Sequence, residues 1–144
     1  MSSYLNFYLV PKKKENNIEP KPLLFNSYSR NSEVYQAFWE VLNPAYIGLG
    51  DTPNYSELTA EDVNKVLKDL EKDLKSAEKR LNLTIEAYKV LSGGSIPEEA
   101  INEYTSTKEY IEDIQETISI VKNIHSWVED IKYSDFEKVL INID

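Results

Sequence analysis

Apolar residues recur in steps of three and four from Ala60 to Leu91: Ala60, Val63, Leu67, Leu70, Leu74, Ala77, Leu81, Thr84, Tyr88 and Leu91, with Thr84 alone polar. A period of 3.5 held over this distance puts one narrow apolar seam along a helix. The start is marked locally. Thr59 and Asp62 have capping-box spacing, and Leu58 and Val63 stand where a hydrophobic staple requires them. Gly93-Gly94 stops the helix near Ser92. A second long helix opens at Ser95-Ile96-Pro97-Glu98, again with capping-box spacing and an early proline. Its apolar positions are Ile101, Tyr104, Ile111, Ile114, Ile118, Val121, Ile124, Val128 and Ile131. The turn between the helices is short, which predicts an antiparallel hairpin.

The stripe on the second helix is uneven. It is weak around Thr105-Ser106-Thr107-Lys108 and broadens past Ile114, where Ile120, Ile124 and Trp127 add a second row. Val66 widens the first helix at the matching end. This predicts a thin two-helix tip near residues 85–107 and a base that packs against further elements.

Those elements come from the chain ends. Residues 4–10 alternate as a strand, with Leu5, Phe7 and Leu9 on one face and Tyr4, Asn6 and Tyr8 on the other. Pro11 ends it, and a lysine-rich loop follows. Residues 23–28 read as the returning strand. Asn31 or Ser32 caps a short helix running to about Leu42, with Val34, Tyr35, Phe38, Trp39 and Val41/Leu42 as its apolar face and Asn43-Pro44 as its stop. Residues 44–58 read as a turn-rich connection. At the C-terminus, Val139, Ile141 and Ile143 share one face of a strand expected to pair with residues 4–10. The expected fold is α+β and mostly helical: a small antiparallel or mixed sheet and a short helix at the base of a long, coiled-coil-like antiparallel hairpin. The chain reads as a single domain over 1–144, with the hairpin at 59–133 and the base formed by 1–58 and 134–144. Whether the seam closes within one chain or between two leaves monomer and homodimer both open.

Composition narrows the chemistry. Twenty-five acids against sixteen bases give a net charge of −9 over 144 residues. Such a balance argues against direct binding to nucleic acid or to an anionic membrane. The absence of cysteine removes disulfides, thiol catalysis and cysteine metal sites. No apolar run approaches the ~20 residues of a bilayer span. The start, Met1-Ser2-Ser3-Tyr4-Leu5-Asn6, lacks the pattern of a signal peptide, so a cytoplasmic location is expected. His125 is the single histidine and reads as a packed or boundary residue. No cofactor or metal motif appears. Gly48-Leu49-Gly50-Asp51 lacks the lysine and preceding strand of a phosphate loop and reads as a turn. Activated-nucleophile arrangements are not signalled, and an enzyme is not expected.

Two charge patterns remain. Glu109, Glu112, Asp113 and Glu116 lie at i, i+3, i+4 and i+7, in a stretch from 97 to 130 whose nine acids and two bases give −7. The ridge reads either as a solvated face or as a surface that docks on a basic protein, presenting charge where phosphates would lie. Lys65, Lys68, Lys72, Lys75 and Lys79 form a stripe on the outer face of the first helix, with Glu61–Lys65 and Glu71–Lys75 as i,i+4 pairs. Tyr46 and Tyr55, in the turn-rich connection, are candidate exposed anchors for a partner.

The stretches Ser3–Lys12, Ser27–Phe38 and Glu57–Asp62 resemble small uncharacterised proteins of bacteriophages that infect gut bacteria. The resemblance covers the first sixty or so residues and carries no catalytic or binding motif. It implies the cytoplasm of an infected cell, or a minor place in the virion. The leading expectation is a non-enzymatic protein–protein interaction or adaptor protein, a phage accessory factor whose hairpin meets a protein partner. The alternative is an acidic inhibitor of a nucleic-acid-handling host enzyme, acting through the ridge.

Overall fold

One strand from the start of the chain and one from its end form the centre of a four-stranded antiparallel sheet. In the computed structural model, residues 3–13, 20–44, 54–91, 93 and 97–144 are described. The elements are β1 (Tyr4–Pro11), β2 (Leu23–Ser29), α1 (Glu33–Leu42), β3 (Ser56–Leu58), α2 (Ala60–Leu91), α3 (Glu98–Glu129), a 3₁₀ turn at Ile131–Tyr133, and β4 (Phe136–Ile143). The strand order is β2-β1-β4-β3, antiparallel throughout. β1 and β4 pair from Leu5↔Ile143 to Pro11↔Phe136, which joins the two ends of the chain.

All three helices share the core with one face of the sheet. Leu5 and Phe7 from β1, Leu58 from β3, and Val139, Ile141 and Ile143 from β4 are no more than 3% exposed. Val34 and Phe38 of α1, Val63 and Val66 of α2, and Ile118 and Val121 of α3 join them in one cluster. Phe7 is central: the Phe38 ring stands edge-on to it at 5.5 Å and the Tyr28 ring at 5.8 Å. Such pairs add to the stabilisation from burial itself.

The helix ends follow local chemistry. Ser32 accepts the Val34 N–H at 3.2 Å and starts α1. Asn43 ends it in the left-handed region at φ 45°. At α2, Thr59 Oγ1 accepts from the Asp62 N–H and Asp62 Oδ2 accepts from the Thr59 N–H, both at 3.1 Å: the predicted capping box. Gly93, at φ 64°, follows the end of α2. Each long helix has 32 residues, about 48 Å of rise, and α2 packs on α3 within the chain.

Several expectations are corrected. Residues 56–58 form β3 rather than part of a connection; Ser-Glu-Leu is too short to show alternation, and pairing with β4 makes it a strand. On α1 the buried fourth residue is Ala37, while Trp39 is 40% exposed. On α3 the seam takes Ala100, 2% exposed, and leaves Ile101 49% exposed. Ala100 stands seven residues before Thr107 and fourteen before Ile114, so the heptad phase puts it in the seam and Ile101 beside it. Ser95 lies outside the described residues, and α3 starts at Pro97 without a side-chain cap. Asn6, on the face opposite Leu5 and Phe7, is buried, as is its cross-strand neighbour Asn142.

Candidate interaction surfaces

Heptad geometry sorts the base of the hairpin into a closed flank and an open one. Val66 and Thr117 each precede a seam residue, on the flank turned to α1 and the sheet, and are 0% and 3% exposed. Ile85 and Ile101 each follow a seam residue, which places them on the opposite flank. There the seam thins. Thr84, Ile85, Tyr88, Ala100, Ile101 and Tyr104 line an almost wholly apolar groove of about 230 Å³ near the tip.

The acidic ridge is where the sequence placed it. Glu109, Glu112, Asp113 and Glu116 are all exposed on α3, and the five lysines of α2 are exposed as well. The ion pair found among the described residues is His125 Nε2 to Glu129 Oε2 at 3.7 Å. Glu61–Lys65 and Glu71–Lys75 are therefore not closed as i,i+4 pairs. His125 itself is a half-buried boundary residue.

Of the two candidate tyrosine anchors, Tyr46 and the Gly48-Leu49-Gly50-Asp51 stretch lie outside the described residues. Tyr55 is half-buried, its ring edge-on to Tyr8 with centroids 5.0 Å apart. It braces the outer face of the sheet and is not a free anchor. Tyr8 sits beside Asn142, Tyr55 and Asp144. Burial raises its hydroxyl above the usual value of 10.0; Asn142 opposes that shift, and Tyr55 and Asp144 add to it. Tyr110, on α3, is also raised, by burial first and then by the charges of Asp73 and Glu33.

A further surface was not singled out from the sequence. Between β2 and the base of α3 lies a groove of about 420 Å³, walled by Phe7, Phe25, Tyr28, Ile124 and Trp127. The Phe25 and Trp127 rings are 5.2 Å apart. Leu23, Leu24 and Phe25 on the adjoining strand are 51%, 58% and 45% exposed. The signal was present: three successive apolar residues in a strand cannot share one face. The strand's outer edge is guarded. A bulge interrupts its register with β1, the Ser27 N–H donates to Asn26 Oδ1 at 2.9 Å, and the Ser29 carbonyl accepts from the Ser32 N–H at 2.9 Å. Such features discourage indiscriminate strand addition, so the apolar side chains are the reactive part of this edge.

The polar lining of the base groove is Asn26, Asn123 and Tyr28. Among the described residues no cluster of three His, Cys, Asp or Glu is placed to hold a metal ion, and no helix is long and apolar enough to cross a membrane. No family model, curated protein or solved structure matches this chain.

Proposed function

We propose that this chain is a non-enzymatic interaction protein, an adaptor acting in the cytoplasm of a phage-infected cell, and that the groove between β2 and α3 receives its protein partner. One observation carries this reading: the exposed Leu23-Leu24-Phe25 edge beside Trp127. Contiguous apolar exposure on a small domain marks an interface, and aromatic residues are enriched in the centres of such interfaces. Lys21 and Arg30 flank β2 with no acid between them. The complementary partner is an extended segment, apolar in its middle and acidic at its ends.

The test uses two surface variants, Leu23→Glu and Asn123→Glu, both at exposed positions. A protein captured by the wild type is identified by mass spectrometry, purified, and titrated calorimetrically against each form. Each variant should weaken binding by at least ~10-fold, or about 1.4 kcal/mol, with its melting curve preserved. Unchanged affinity in both rejects the groove.

The inhibitor reading rests on the exposure of all four ridge acids. It gains support if neutralising Glu109, Glu112, Asp113 and Glu116 together abolishes binding to a basic nucleic-acid enzyme in a salt-sensitive way while Leu23→Glu does not.

A further inference from the structure

We propose that two copies of this chain associate through the hairpin flank turned away from the sheet, with α2 of each copy lying along α3 of the other. The association does not involve the base groove, so it stands or falls separately from the adaptor reading.

The flank has an apolar patch at its tip. Ile85, Tyr88, Ile101 and Tyr104 line the tip groove, and Ile101 is half in solvent. Toward the base, at Val66 and Thr117, the other flank is covered by α1 and the sheet; at the tip it carries the exposed polar residues Arg80 and Glu103. A second hairpin laid on the open flank covers the Ile85 and Ile101 side chains and completes a four-helix bundle, with Glu71 and Glu78 of α2 and Lys108 and Lys122 of α3 along the same row.

Charge selects the second copy as the occupant and fixes its direction. Tyr88 and Ala100 line the same groove, and they lie three and two residues from the facing ends of α2 (Leu91) and α3 (Glu98), which sets them at about the same level. Both helices rise ~1.5 Å per residue, so levels along the hairpin follow by counting. Nine residues down α2 is Lys79 and nine up α3 is Glu109. Thirteen residues reach Lys75 and Asp113, with Glu112 one position short; sixteen reach Lys72 and Glu116. Within one chain these partners lie on opposite outer edges, about two helix diameters or ~20 Å apart, and no ion pair joins them among the described residues.

A twofold axis parallel to the hairpin lays α2 over the second copy's α3. Each lysine then meets the acids on its own level, twice over, because the contact is isologous. A twofold axis across the hairpin lays α2 on α2 and opposes lysine to lysine. The lysine stripe and the acidic ridge are thereby two halves of one self-complementary surface.

The experiment is sedimentation equilibrium of the whole chain up to about 100 μM, at about 50 mM and about 500 mM salt. The expected result is a dimer, weakened at the higher salt. Ile101→Glu should raise its dissociation constant at least ~10-fold with melting temperature retained at high dilution. The triple reversals Lys72→Glu/Lys75→Glu/Lys79→Glu and Glu109→Lys/Glu112→Lys/Glu116→Lys should each be monomeric alone. Mixed, they should form a heterodimer, since both contacts are then complementary again. A wild type that stays monomeric at the lower salt overturns the proposal. So does a dimer that survives both reversals, or one that the mixture fails to restore.

Discussion

Asn6 Nδ2 donates to Asn142 Oδ1 at 3.1 Å, joining residues 136 apart in sequence at the centre of the sheet. Both are buried, at 3% and 0% exposure. Asn6 Oδ1 also accepts from Ser27 Oγ at 2.7 Å, so β2, β1 and β4 are linked side chain to side chain. Asn142 Nδ2 has no well-formed hydrogen bond, although the amide lies close enough to Tyr8 to favour its ionised form.

Removing one member of this pair should cost more than removing both. Asn142→Val strands the Asn6 amide in a buried position, a penalty of about 1–3 kcal/mol. Asn6→Val/Asn142→Val removes both polar groups and adds residues that suit central strands. The double variant should be at least as stable as either single one by urea denaturation, giving a large positive coupling in the mutant cycle.

The α2 capping box should be separable from everything downstream. Thr59→Ala loses the acceptor for the Asp62 N–H and should cost about 1 kcal/mol. Thr59→Ser keeps the hydroxyl and should restore most of the loss, as read from the midpoint of thermal unfolding.

The hairpin should be stable at its base and labile at its tip. Leu70 is 8% exposed beside α3 and the core, whereas Leu81 is half-buried. Leu70→Ala should cost about 2–5 kcal/mol, and Leu81→Ala less than half as much. In the monomer, hydrogen exchange should open amides near residues 84–104 well before those near 63–70 and 114–121.

Tyr8 should impose an alkaline limit. Its folded-state pKa is raised above 10.0, chiefly by burial, so the folded protein holds this proton more tightly than the unfolded chain does. The stabilisation is fully present below the unfolded value and is lost as pH rises through the folded one. Tyr8→Phe should flatten the fall in stability above pH 10, measured as urea midpoints across the alkaline range. An unchanged slope would remove Tyr8 from the account.

The local sequence was sufficient for the extent and type of nearly every element. A capping box, a left-handed Asn43 and a 3.5-residue period act between residues a few positions apart, so Thr59, Asp62 and the Val63–Tyr88 ladder announced α2 without help. The β1–β4 pairing followed because both segments alternate cleanly. The ridge acids and the lysine stripe were legible as spacings, but their relation to each other was not.

What tertiary structure decided were the properties that depend on a neighbouring element. β3 is a strand only because β4 offers it hydrogen bonds. Asn6 is buried on the face its alternation gave it because Asn142 and Ser27 from the two neighbouring strands close on it. At the base, one flank of the hairpin is covered and the other open because α1 and the sheet pack on the side of Val66 and Thr117. Periodicity specifies a seam, while the elements packed beside it determine which flank remains in water.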